Sequence, residues 1–337
     1  MQLFNKALVF GDPHFGRSGN SPVANRDNIE FLKWAIDEAK TWGAETCIML
    51  GDWHDNRHSL HVSTILASIE GMDLLNEAFE TIWWLLGNHD LMYRDRRDAA
   101  SIEFAKYPSN IKIVRDPFTI EDVTFLPWLV GDEHKHLNIS SRYVFGHLEL
   151  SGFLLNSRIK MAESDHTPTA DLFREPEHVF TGHFHQRQFS KNICYIGSTM
   201  PFSFSDDGDS DRGIMLLEHG HEPIFRAWPG QPLYRSMLLT EMLSSPDRLL
   251  ARNMTVRATI DLPLRYEEAQ EIRDALMTTY GLRKIELING HLDGEQEFDD
   301  AKLQFKSVDQ IVISGLESIE SVELDSRRLI EIYTSLG

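Results

Sequence analysis

Short, continuous apolar runs alternate with helical periodicity along the first two thirds of the chain. The runs KALVF (6–10), TCIML (46–50), TIWWLL (81–86), IKIV (111–114), RYVF (142–145), HVF (178–180) and CYI (194–196) read as strands, and most are ended by Gly, Asp or Pro. Between the first two, Ile29, Leu32, Ile36 and Ala39 recur at helical spacing and Gly43 stands at the C-cap position, which predicts an amphipathic helix over 27–42. A second helix is predicted near 62–78. Strands alternating with helices predict an α/β fold.

From about Trp228 the pattern changes. MTVRATIDL, YEEAQEIRDALMTTYG and RKIELING read as strand, helix and strand, a small α+β unit over 229–290. The acidic stretch GHLDGEQEFDD marks a linker at 291–301. The tail, 302–337, holds VDQIVISGLESI and LDSRRLIEIYTSL, two apolar-striped helices around a turn, which cannot bury their apolar faces alone and must pack on the body or on a partner. The predicted division is therefore 1–228, 229–290, 291–301 and 302–337.

A chain of 337 residues suits this arrangement. It has no run of about 18 apolar residues and no signal-peptide pattern, so a cytosolic protein without a membrane span is expected. Its two cysteines, Cys47 and Cys194, lie inside strand-like runs and read as small buried hydrophobes. The net charge of −19 argues against a broad basic footprint for nucleic acid, although bound cations can invert the local field around a phosphate ester.

The polar residues that interrupt this pattern are the informative ones. FGDPH follows the first strand, LGDWHD the second and LGNHD the third, with FGHLEL and TGHFH later. Strand carboxyl ends are where sites assemble in α/β sheets. Cleaving a phosphate ester with a pair of divalent metals requires carboxylate oxygens, imidazoles and one carboxylate able to bridge two ions. Five strand ends supply Asp12 and His14, Asp52, Asn88, His147, and His183 with His185. Each signal alone is weak; the ordered set carries the prediction.

The series GDPH, GDWHD, GNHD, GH, GHFH resembles the calcineurin-like metallophosphoesterase superfamily over roughly residues 5–225. FGHLELSGF, TGHFHQ, the small second unit and the paired-helix tail resemble its SbcD-type DNA nucleases, in particular the nuclease subunits of tailed-phage recombination endonucleases. The resemblance implies a β-sandwich flanked by helices, a capping domain at 229–290 and a C-terminal helix-loop-helix. It implies two divalent ions, Mn²⁺ or Mg²⁺, bridged by Asp52. One ion takes Asp12, His14 and His185, and the other Asn88, His147 and His183. In an extended segment His183 and His185 would project to the same side and reach adjacent ions. His89 is implied as general acid, and Asp55 is expected to hydrogen-bond it.

Several residues carry plainer expectations. Asp90 reads as a turn cap, and His54, His58 and His61 as solvent-facing loop residues. Trp53, Trp83 and Trp84 read as filling the core or lining the rim of the site, and SFSDDGDSDRG as an exposed acidic loop that lacks the closing Glu of a Ca²⁺ loop. Arg94, Arg96 and Arg97 form a cluster that either flanks the metal site or is a solvated charge run.

DNRHS after the second motif and Asp after GNH disfavour a protein phosphatase. The resemblance implies a DNA exonuclease and structure-dependent endonuclease. It would bind an SMC-like ABC-type ATPase through the C-terminal helices and form a homodimer through segments near 62–78 and 98–106, in the cytoplasm of a bacterial host if phage-encoded. A nucleotide or cyclic-nucleotide phosphodiesterase and a non-catalytic scaffold are the alternatives, the last disfavoured because every ligand position is filled.

Overall fold

The computed structural model describes residues 2–154, 160–162, 167–290 and Arg328. The predicted linker at 291–301 and, apart from Arg328, the predicted helical tail at 302–337 lie outside the described residues.

In chain order the strands are β1 (Lys6–Phe10), β2 (Thr46–Met49), β3 (Thr81–Leu85), β4 (Ile111–Val114), β5 (Phe118–Ile120), β6 (Val123–Leu126), β7 (Tyr143–His147) and β8 (His178–Gly182). There follow β9 (Gln188–Ser190), β10 (Ile193–Tyr195), β11 (Gly213–Glu218), β12 (Ile224–Ala227), β13 (Leu233–Leu238), β14 (Met254–Ile260) and β15 (Lys284–Asn289). Two six-stranded mixed sheets form, in the orders β12-β11-β1-β2-β3-β4 and β5-β6-β7-β8-β10-β9.

The unbroken apolar runs reflect burial on both faces. In β1, Ala7 and Val9 enter the core between the sheets, while Leu8 and Phe10 enter the core under the helices. In β3 the neighbouring tryptophans divide the same way: Trp83 packs between the sheets and Trp84 beneath the helices. On the second sheet, Tyr143 and Phe145 face inward, and Val144 faces a third cluster on the outer side. Trp53, like these two, is buried, as are both cysteines.

The first helix, Pro22–Trp42, begins five residues earlier than its apolar spacing indicates. Ser21 accepts from the Ala24 N–H and Pro22 occupies the first turn, a start signal independent of periodicity; Gly43 caps the other end in the left-handed region, φ 85°. The second helix is Val62–Ala78, but the 98–106 segment contains only a 3₁₀ turn, Glu103–Lys106. No described helix is long and apolar enough to cross a membrane.

Beyond Trp228 the unit is a parallel three-stranded sheet, β13-β14-β15, with its own apolar core. Its first strand escaped sequence detection because LYRSML is neither alternating nor continuously apolar. The unit is fastened to the larger body by Arg283, which donates twice to Asp27, and by Arg257, stacked 3.9 Å over Phe204. Asp27 also accepts from Arg17, whose other nitrogen donates to the carbonyl of Pro13, between Asp12 and His14.

Candidate metal centre

Five strands deliver their carboxyl ends to one place. β1, β2 and β3 of the first sheet lead into Asp12-Pro13-His14, Asp52 and Asn88-His89; β7 of the second ends in His147, and β8 leads into His183 and His185. The chain must turn sharply at each end to aim a short side chain back over the sheet. Asp12, His14, Asp52 and His183 accordingly have positive φ (54°, 49°, 55° and 88°). Such backbone costs an L-residue about 1–2 kcal/mol, and this concentration of strain points to a functional site.

Hydrogen bonds between loops hold these turns. Asp12 N–H donates to the Gly51 carbonyl, His14 N–H to the Asp52 carbonyl and Phe15 N–H to the Trp53 carbonyl. Asp90 is more than a turn cap. Fully buried, it accepts from the main-chain N–H groups of Gly87 in its own turn and of Asp52 and Trp53 in the facing loop, all at 2.9 Å.

The side chains gather in two sets about Asp52. In one, His14 Nε2 and His185 Nε2 lie 3.1 Å apart, and Asp12 places a carboxylate oxygen within 4.8 Å of both. In the other, Asn88 Oδ1 lies 3.0 Å from both His147 Nε2 and His183 Nδ1. Asp52 Oδ2 stands between, 3.8 Å from His14 Nε2 and 3.3 Å from His147 Nε2. His183 and His185 do not reach these positions by strand alternation, as the sequence suggested. The strand ends at Gly182, His183 turns into the left-handed region, and Phe184 anchors the bend in the outer core.

The glycines of the motifs are there for space. A Cβ on Gly87 would stand 2.2 Å from Asp52 Oδ1 and 2.4 Å from Asp52 N. One on Gly51, at φ 98°, would meet His147 Nδ1 at 2.7 Å. Gly87→Ala is therefore expected to displace the Asp52 carboxylate and lower phosphodiester turnover about 100-fold; steady-state hydrolysis of a small diester with wild-type kcat would refute this.

Burial and charge prepare these groups differently. Burial pushes His14 well below the usual histidine range, His185 down to about 4 and His183 down as well, so all three present neutral nitrogens. Burial also opposes charge on His147, but Asp52 more than reverses this and raises it to about 9. The Asp52 carboxyl is held far below the usual range: burial opposes its charge, but the His147 charge and hydrogen bond, with His14, outweigh that. Asp12 is raised to about 7, by burial first and by the Asp52 charge as well. Two carboxylates, an amide oxygen and four imidazoles with converging lone pairs fit a pair of divalent ions. His147 Nδ1 donates to the Leu50 carbonyl at 2.7 Å, which turns Nε2 toward Asn88 and Asp52.

His89 sits at the edge, its ring 4.9 Å from that of His14 and its main-chain N–H donating to Asp52 Oδ1 at 2.7 Å. The expected Asp55–His89 contact is made by a different atom. His89 Nδ1 donates to the Asp55 main-chain carbonyl at 2.6 Å, while the Asp55 carboxylate faces His14 Nδ1 at 3.5 Å. The backward turn of the loop after Asp52 brings the carbonyl to the ring, which residue spacing could not show.

Other expectations change. His54 is fully buried, not solvent-facing: its ring nitrogens lie 2.8 Å from Ser68 Oγ and Ser101 Oγ, and burial pushes it down to about 3. His58 and His61 are exposed. Arg97 is buried against Glu133, Asp116 and the Trp128 carbonyl, and Arg96 pairs with Asp98, leaving Arg94 of that cluster. In the acidic loop, Asp206 and Asp209 hold the buried Arg212.

Arg17 and Phe202 escaped the sequence reading. Phe202 packs edge-on against His14 and His185 at 5.5 and 5.1 Å, with the Arg17 guanidinium 4.8 Å over its face. No motif marks Phe202; Arg17 follows the first motif but nothing local distinguishes it. Glu149, in the FGHLEL phrase, lies 3.7 Å from His183 Nε2.

The chain is 30% identical over 224 residues to exonuclease subunit 1 of Enterobacteria phage T4, spanning 63% of this chain and 64% of that relative, less than two thirds of its length. A crystal structure of the Pseudomonas putida nuclease MPE aligns with 53% of this chain and 61% of its own, at 17% identity and a TM-score of 0.30. The calcineurin-like phosphoesterase profile matches residues 6–208, and with the donor groups at five strand ends inside that span, the chain belongs to the calcineurin-like phosphoesterase family.

Proposed function

We propose that the protein is a two-metal DNA nuclease that hydrolyses phosphodiester bonds as exonuclease and structure-dependent endonuclease. The observation that carries this reading is the division of the donors into two sets sharing Asp52. Asp12, His14 and His185 would hold one ion, and Asn88, His147 and His183 the other. Bound Mn²⁺ or Mg²⁺ would supply neutralisation of charge growing on the phosphate and acidification of water. Of the chain's own residues, His89 is placed to give a proton to the leaving oxygen from Nε2, because Nδ1 is engaged by the Asp55 carbonyl. The nuclease-subunit relative supports a DNA substrate and a partner subunit.

Metal uptake requires His147 and Asp12 without their protons. With His147 raised to about 9 and Asp12 to about 7, affinity rises with pH. The apparent Kd for Mn²⁺ is expected to fall about 100-fold or more from pH 6 to pH 8. Calorimetry in buffers of different ionisation enthalpy would count the released protons; uptake without proton release contradicts the expectation.

In this reading 1–228 is the nuclease domain, 229–290 caps it, 291–301 is a linker, and 302–337 binds the coiled coil of an SMC-like ABC-type ATPase in DNA end processing, recombination and repair. It acts in the cytoplasm, that of a bacterial host if phage-encoded. A homodimer is supported by Val62, Ile65, Leu66 and Ile69, at one-face helical spacing and 69%, 37%, 65% and 36% exposed.

The deciding experiment incubates the protein with Mn²⁺ and labelled linear DNA, with and without the cognate ATPase. Hydrolysis of nucleotides or cyclic nucleotides alone would assign a nucleotide phosphodiesterase instead.

A further inference from the structure

A cavity of about 360 Å³ opens beside His89, bounded by Asp55, Asn56, Arg57, His58, Met92 and Arg94. At about 30 Å³ per water, it has room for a phosphate with its sugar. Its charge is unusual for this chain. Most arginines in the described body are paired with carboxylates: Arg96 with Asp98, Arg97 with Glu133, Arg115 with Glu103, Arg187 with Asp211, Arg212 with Asp206 and Arg283 with Asp27. Arg57 and Arg94 are among the few described arginines with no such partner, and both line this one cavity, in a protein of net charge −19. The one acidic group on the wall, Asp55, turns its carboxylate to His14.

Hydrogen bonds shape the segments that line the cavity. Asn56 Oδ1 accepts from the His58 and Ser59 N–H groups, which fixes the turn that carries Arg57. On the opposite wall Met92, 45% exposed, offers an apolar surface for a sugar, and its N–H donates to the Ala99 carbonyl.

We infer that this cavity is a subsite for the phosphate next to the scissile one, on the leaving-group side, with Arg57 and Arg94 as its clamp. The inference rests on the nuclease reading and deepens it. The candidate centre supplies chemistry for any diester, and this subsite would make a strand of linked nucleotides the preferred substrate. Two free guanidiniums suit a phosphate better than a neutral group, because each presents a planar fork of donors.

The test compares kcat/KM for an oligonucleotide with that for bis(p-nitrophenyl) phosphate, which has no neighbouring phosphate, in the Mn²⁺-loaded protein. In the Arg57→Ala/Arg94→Ala protein the ratio should fall about 100-fold, mainly through the oligonucleotide KM. The slope of log(kcat/KM) on DNA against log salt should flatten by about one. Arg57→Lys/Arg94→Lys should keep most of the salt slope. An unchanged ratio, whether both activities persist or both fall together, overturns the subsite alone. A wild-type protein that cleaves the small diester and leaves DNA intact overturns the nuclease reading and the subsite with it.

Discussion

An Asp52→Asn protein should hydrolyse phosphodiesters about 10⁴-fold more slowly than wild type, about 5.4 kcal/mol in the barrier. Asp52 is the carboxylate that faces both donor sets, 3.3 Å from His147 Nε2 and 3.8 Å from His14 Nε2, and its second oxygen accepts from the His89 main-chain N–H at 2.7 Å. An amide preserves that shape but removes the negative charge, leaving Asp12 as the one carboxylate among the assigned donors for two dications. The same exchange has a signature in the metal-free protein. With Asp52 neutral, burial is the dominant influence on His147, so its pKa should drop from about 9 to below the ordinary histidine value. NMR titration of the His147 ring would show this. Retention of a tenth of wild-type turnover would remove Asp52 from the centre of the mechanism.

Loss of the His89 ring is expected to discriminate between leaving groups. His89→Ala should slow DNA cleavage about 10³-fold, the usual scale for a positioned acid, yet slow hydrolysis of bis(p-nitrophenyl) phosphate less than tenfold. A nitrophenolate departs as a stable anion; a sugar alkoxide needs a proton. Equal losses on the two substrates would show that His89 stabilises charge without donating a proton. Asp55→Asn should leave the ratio of DNA cleavage to small-diester hydrolysis in place, since the main-chain carbonyl of residue 55 holds the ring. Its effect should appear in metal affinity, through the carboxylate that faces His14.

How much of this was legible in the chain varies with the range of the interaction involved. Strands β1, β2 and β3 of the first sheet could be read because their runs ALVF, CIML and IWWLL hold four or five consecutive apolar residues, and such runs are what burial on both faces requires. The β13 strand was missed because its one partner, β14, supplies its pairing and its own residues are half exposed. His54 was misread for a similar reason. A histidine between Trp53 and Asp55 has no local mark of burial, and the hydroxyls that receive it come from Ser68 and Ser101. Arg97 lost its place beside the centre to Glu133 and Asp116, distant in the chain and adjacent in space.

By itself the sequence determined the strand ends, the order of the donor groups along them and hence the family. Those features are written in contiguous residues, where an apolar run, a glycine and a ligand must follow one another for the turn to close. Only the tertiary structure decided which atoms meet. His89 leans on a carbonyl, His183 and His185 enter through a left-handed bend, Asp90 braces two loops, and Arg57 and Arg94 are left unpaired beside the centre. These depend on how two sheets superimpose and on which carboxylates each arginine finds nearby, and no local pattern of residues encodes either.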